Sequence, residues 1–226
     1  MRSILSILAL LLAFQIGVYA QSSCSCGLGN GGCSASQSCP SGYVAFCTCS
    51  ASGCSSQCNK QDGDPPEGGG EGRPIGIAID VLRNIVRSSP APTLGRALSR
   101  AFDKKITFSP TSAKFSVDAK ILDSFTSHWE LLSYLSTNGK LTINGRNLEF
   151  WEGLKNTLLN GGAFKICTGN ASAQMILNEI NFLSGRHYKI VGGNVGSRMS
   201  GTVEGNSLND LIANLSSTRA VMISEN

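Results

Sequence analysis

Eight of the chain's nine cysteines fall between Cys24 and Cys58, at Cys24, Cys26, Cys33, Cys39, Cys47, Cys49, Cys54 and Cys58. A segment so short and so rich in sulfur folds around a metal or around disulfides. It holds no His, Asp or Glu, and its spacings include C-x-C rather than the paired C-x2-C of a zinc site. Disulfides through all eight are therefore expected, and no metal. Eight cysteines allow 105 pairings, and spacing alone does not choose among them. Large apolar side chains are few here, chiefly Tyr43, Val44 and Phe46. Crosslinks rather than a hydrophobic core should hold residues 21–61, as Gly- and Ser-rich loops with one hairpin through YVAFCTC.

The flanking composition sets the organisation. Arg2, the apolar run ILSILALLLAF and VYA before Gln21 have the layout of a cleavable export signal over residues 1–20. An oxidising destination, periplasmic or extracellular, agrees with the cysteine usage. No other stretch reaches the roughly 18 apolar residues of a membrane helix, so no integral membrane segment is expected after cleavage. Residues 62–74, DGDPPEGGGEGRP, combine acids, prolines and glycines as a linker does. From Arg73 onward there are 17 basic against 11 acidic residues. In an exported chain this excess points away from nucleic acid and leaves an acidic glycan or lipid surface open as a partner. Arg96, Arg100 and Lys104 recur every four residues opposite Leu94 and Leu98, the pattern of a solvated helix face.

The remaining region repeats itself. Ser207-x-x-Asp210 opens a helix whose Leu208, Leu211, Ile212 and Leu215 form one apolar stripe, and Val221 and Ile223 then alternate as a strand does. Eighty residues earlier, Ser127-x-x-Glu130 precedes His128, Leu131, Leu132 and Leu135, then Leu141 and Ile143. The one apolar position lost is His128. Upstream, the stripe Leu94, Ala97, Leu98, Ala101 matches Ala173, Ile176, Leu177, Ile180. The strands at Ile106 and Phe108 match those at Tyr188 and Ile190, and KFSVDA matches SGTVEG. A leading strand is read in IGIAIDV for the first copy and in AFKICTG for the second. An Asn144-Gly145 turn predicts an extra hairpin strand in NLEFW, followed by a linking helix. The expected fold is thus α+β: two βαββαβ units, residues 75–151 and 152–226, each a small sheet with two helices on one face, preceded by the disulfide-rich segment.

The stretch FKICTGNASAQMILNEINFLSGRHYKIV, with SGTVEGNSLNDLIANLSSTRAVMI after it, resembles the secretin and TonB N-terminus short domain. Leu177, Ile180, Gly185, Tyr188, Val203, Gly205, Ser207, Leu208, Leu211 and Leu215 stand where that pattern wants them. The resemblance covers about 130 residues and is carried by hydrophobic pattern. The first copy follows it less closely, with a longer loop before its second helix. It implies a non-enzymatic domain of the bacterial envelope that docks partner proteins ahead of an outer-membrane barrel. The sequence stops after the last strand, so no barrel is expected and the family's partners are not carried over.

Chemistry is scarce. The exported part has two histidines, His128 and His187, and neither has an orienting acid at fixed spacing. Cys167, in AFKIC, reads as a small buried hydrophobe rather than a nucleophile paired with His187. VGGNVGSR lacks a phosphate-loop lysine and reads as a turn. Asp118 and Asp123 read as solvated acids. The sequence therefore predicts no catalytic residues, no cofactor and a protein partner in the periplasm or envelope. That partner is expected to add a strand to an exposed edge at Lys165 and Ile166 or at Thr202, Val203 and Glu204. The alternative is that the cysteine-rich head is a surface-binding or inhibitory module carried by the repeats, binding glycan or a protein cleft through exposed Tyr43 and Phe46.

Overall fold

The computed structural model describes residues 21–29, 32–61 and 78–225. The expected leader, residues 1–20, and linker, residues 62–74, lie outside the described residues. The fold is α+β, built of small antiparallel sheets and helices with a disulfide-rich strand region at its N-terminal end.

The cysteine-rich segment is strand rather than loop. β1 (Ser22–Gly27) pairs with β2 (Ser34–Cys39), and β3 (Tyr43–Ser50) pairs with β4 (Gly53–Lys60), both antiparallel. In a strand, C-x-C places both sulfurs on one face. Stacking one ribbon on the other joins those faces through Cys24–Cys47, Cys26–Cys49, Cys33–Cys54 and Cys39–Cys58. The first four cysteines thus bond the last four in order.

The first unit departs from its expected order. IGIAIDV is not a strand where it is described, since Ile79 begins helix α1 (Ile79–Ser88), whose Leu82 and Val86 are buried at helical spacing. α2 (Ala91–Phe102), β5 (Ile106–Pro110), the short α3 (Ala119–Ser124), α4 (His128–Asn138) and β6 (Gly139–Ile143) come next. KFSVDA forms no strand; Asp118 instead caps α3 by accepting from the Lys120 N–H at 2.8 Å. The Asn144-Gly145 turn forms, with φ of 50° and 77°. Beyond it there is only a bridge between Ile143 and Arg146, because Asn147 caps a helix there. That helix, α5 (Leu148–Asn160), includes NLEFW from Leu148 on and crosses residue 151, the expected boundary between units.

The second unit has the expected order: β7 (Phe164–Ser172), α6 (Ala173–Ser184), β8 (Tyr188–Gly193), β9 (Arg198–Gly205), α7 (Leu208–Arg219) and β10 (Val221–Glu225). Its strands do not form one sheet. Among the described strands β8 pairs with β10 alone, as β5 pairs with β6. Ile143 faces Ile106, whereas Ile223 faces Ile190 rather than Tyr188, a register difference of two residues that a bulge between Met222 and Ile223 makes three at Val221.

β7 joins the two ends of the chain. It pairs with β3 on one side and β9 on the other, so the main sheet runs β4-β3-β7-β9. Alternation gives this sheet two unlike cores. Val44, Phe46, Phe164 and Ile166 face the helices, in one apolar cluster that includes residues of both units. Ala45, Cys47, Cys49 and Cys167 face β1 and form a sulfur-lined cluster with Cys24, Cys26 and Cys39. β1 crosses so near β7 that any side chain at Gly169 would strike the Ser23 backbone, and the Ser22 hydroxyl donates to the Gly169 carbonyl. The cysteine-rich segment is therefore continuous with the rest of the fold. Phe46, expected to be exposed, is fully buried, while Tyr43 remains 41% exposed.

Candidate functional site

The five residues expected at a free edge are sorted by their strands and by side-chain alternation. Lys165 and Ile166 belong to β7, whose backbone is paired on both sides, so neither offers a free edge. The expectation fails there because β3, far away in sequence, occupies the edge that the second unit alone would leave open. Thr202, Val203 and Glu204 belong to β9, which pairs with β7 and with no other described strand. Ile166 and Val203 point into the apolar core. Lys165, Thr202 and Glu204 point the other way, onto the sulfur side.

There they line a shallow groove of about 380 Å³ together with Cys167. Lys165 and Glu204, directly opposite each other, form an ion pair at 2.8 Å. The Glu204 carboxylate raises the Lys165 ammonium's affinity for its proton, with a lesser contribution from Cys167. Thr202 Oγ1 donates to Cys167 Sγ at 3.4 Å. Ser25, Cys26 and Gly27 of β1 form one wall; Asn214 and Thr218, one turn apart on α7, form the other. The Asn214 side-chain oxygen there has no hydrogen-bond partner among the described residues. Along the rim, Met199, Ser200, Gly201 and Thr202 of β9 are exposed. The sequence contains a signal for the β1 wall in its two C-x-C pairs, CSC and CTC, 23 residues apart. Asn214 opens an Asn-Leu-Ser acceptor triplet, which does not point to a groove, and nothing local marks Thr218.

A second polar cluster lies inside the molecule. Lys104, expected on a solvated helix face, has a side chain only 2% exposed, paired at 2.6 Å with the equally buried Glu179. The helix stripe does not extend to it, because α2 ends at Phe102 and Asp103 turns the chain at φ 49°. Gln57 Nε2 of β4 donates to the same carboxylate oxygen at 2.9 Å, and its amide also meets that of Asn144. The Lys104 ammonium lies 4.5 Å from the Phe182 ring centroid. Three stretches of the chain thus meet at one buried ion pair, which reads as fixing their mutual register rather than as chemistry.

His128 is close by. It is buried as its stripe position requires, stacked on Phe182, with Nε2 2.9 Å from the Phe182 carbonyl. Burial lowers its pKa to about 4, partly opposed by that hydrogen bond, while Lys104, Lys155 and His187 nearby also disfavour a second positive charge. A neutral imidazole donating from Nε2 fits this site. His187 is exposed ahead of β8, outside the main sheet that holds Cys167.

Comparison with protein-family models, curated proteins and solved structures finds no match. The site is therefore read on its own geometry. The remaining residues singled out in the sequence take structural places. Arg83 pairs with Asp80 at 2.6 Å and Arg87 with Asp123 at 2.9 Å, while Arg96 and Arg100 are exposed on α2. The Cys33, Cys49 and Cys54 sulfurs lie within 4.8 Å of one another, but all three are bonded in disulfides and offer no thiolate to a metal. Among the described residues no helix is long and apolar enough to cross a membrane. That, with the four disulfides, is compatible with an exported chain.

Proposed function

We propose that the chain is an exported, non-enzymatic docking protein that receives a strand of a partner protein along β9. The observation that carries this reading is the unpaired edge of the main sheet, with Met199 to Thr202 exposed along it. Exposed edge backbone binds an added strand through main-chain hydrogen bonds, and alternate side chains of the guest enter neighbouring pockets. The groove beside Thr202 and Glu204 supplies such a pocket. The resemblance to the secretin and TonB N-terminus short domain supports the same role, as does the matching antiparallel pairing of β5 with β6 and β8 with β10 that a duplicated unit would give. The glycan reading of the cysteine-rich segment loses Phe46, which is buried.

Lysine on an edge strand blocks strand addition at little cost to the fold. Met199→Lys and Gly201→Lys suit the test, since Met199 is exposed and a Cβ at Gly201 meets only the far end of Arg219 at 3.9 Å. Affinity capture from the native host's envelope fraction is compared between wild type and the double variant, with hydrogen exchange on the captured complex. The expected result is loss of the captured species, with slowed exchange at residues 198–204 in the wild-type complex and a thermal midpoint within about 3 °C of wild type. Unchanged capture, or protection placed elsewhere, rejects β9 as the docking edge.

A further inference from the structure

Cys167 is the one free thiol among the described cysteines, and a disulfide faces it. Alternation along β7 puts its side chain on the sulfur face, where the register sets Cys167 directly opposite Cys47 of β3. Side chains at directly opposed positions share a face with Cβ atoms about 4.5–5.5 Å apart, near the range a disulfide spans. Cys47 is bonded to Cys24 of β1, and β1 lies over both β3 and β7. Three sulfurs on three adjoining strands therefore share two bonding positions. The groove gives solvent a route to Cys167, and Thr202 donates to its sulfur from the side away from β3.

We propose that Cys167 exchanges with the Cys24–Cys47 disulfide, so that the folded chain interconverts between two disulfide isomers. The Cys167 thiol yields its proton to solvent, and the thiolate attacks Cys47 Sγ. The Cys47–Cys167 bond forms as the Cys24–Cys47 bond breaks, and Cys24 leaves as a thiolate that takes up a proton. Four disulfides and one thiol exist before and after, so no oxidant or reductant is consumed. The exchange changes which strands are tied. In one isomer β1 is bolted to β3 at two points. In the other, β3 is bolted to β7 within the sheet and β1 keeps only Cys26–Cys49. The free thiol also moves, from Cys167 of β7 beside the groove to Cys24 of β1, on the buried sulfur-lined side of that strand. Cys26–Cys49 is the less favoured target, because Cys49 lies opposite Lys165 and only diagonal to Cys167.

Disulfide mapping of the exported chain tests this. The folded protein is held at pH 6, 7.5 and 9, quenched in acid, denatured, alkylated with N-ethylmaleimide and digested. Alkylated Cys24 and a Cys47–Cys167 linked peptide should accumulate together, and faster at higher pH, because a thiolate is the attacking species. Cys167→Ser should show no alkylation. Label at Cys167 alone at every pH and time, or label at Cys26, overturns the assignment. A second arm removes the leaving group. Cys24→Ser, refolded with reduced and oxidised glutathione, should contain a Cys47–Cys167 disulfide and no titratable thiol. A folded variant with two free thiols shows those sulfurs to be out of bonding reach and overturns the proposal; if the variant does not fold, the wild-type map decides.

Discussion

On one face of the β4-β3-β7-β9 sheet, Val44, Phe46, Phe164 and Ile166 pack into aliphatic and aromatic side chains. On the other face, one residue along in the same strands, Ala45, Cys47, Cys49 and Cys167 pack against the sulfurs of β1 and β2. The first face gains its stability in the folded state, by removing apolar surface from water. The second has little such surface and depends on crosslinks closing short loops, which act chiefly by restricting the unfolded chain. One strand, β3, is thus held from above and below by forces that work on opposite sides of the folding equilibrium. The contrast shows how a segment too poor in apolar residues to fold alone can still sit at the centre of a domain.

Breaking the apolar face should have the larger effect. Phe46→Ala removes a fully buried ring and is expected to cost about 3–5 kcal/mol in urea denaturation, with the m-value unchanged. Removing one crosslink from the other face, as Cys39→Ala with Cys58→Ala, should cost about 3 kcal/mol and raise the m-value, because the freed chain unfolds to a more open ensemble. An m-value that does not rise would place the effect of that disulfide in the folded state and dissolve the contrast.

The second unit is legible in the sequence because its signals are local: Ser207 and Asp210 at a helix start, a stripe at Leu211 and Leu215, Val221 buried after it. The first unit misleads where one pattern fits two structures. IGIAIDV alternates like a strand, yet Asp80 and Arg83 pair across one helical turn, and Leu82 and Val86 share its buried side. The Asn144-Gly145 turn is as its sequence predicts, but the element after it is decided by Asn147, whose side chain accepts from the Phe150 N–H and starts a helix. The candidate site is legible only in part. Thr202 and Glu204 fall at a true edge, while Lys165 and Ile166 do not, since no local pattern announces that β3 pairs with β7. Lys104 fails for a similar reason, its partner Glu179 lying 75 residues away.

Acid should weaken the apolar side selectively. His128 has a folded pKa of about 4 against 6.5 for the exposed side chain, so between those values the unfolded chain binds the proton and the folded protein does not. Its contribution is complete above pH 6.5, falls as pH drops, and is flat below about 4. The loss across that window is about 3 kcal/mol from the 2.5-unit difference. His128→Leu, which installs the residue found at the matching Leu208, should flatten the stability curve over pH 6.5–4 by that amount. Trp129 Nε1 still donates to the Phe182 carbonyl, at 3.1 Å. The Cys39/Cys58 double alanine variant should instead give a curve parallel to wild type, because those crosslinks do not titrate. A curve that flattens there too would mean that the two faces are not independent.

The smallest effect asks how far that independence reaches. Ser207 Oγ accepts from the Asp210 N–H at 3.1 Å and caps α7, which packs Leu211 and Leu215 into the apolar core while Asn214 and Thr218 border the groove. Ser207→Ala should cost about 1 kcal/mol in urea denaturation with no change in m-value, since a cap acts in the folded state. α7 shares no hydrogen bond or crosslink with Cys39 and Cys58, so combining Ser207→Ala with their double alanine variant should give additive losses to within about 0.5 kcal/mol. A larger coupling would pass through β9, β7 and β3, or across the groove to β1, which pairs with β2. It would mean that loosening the sulfur face changes how α7 sits against β9.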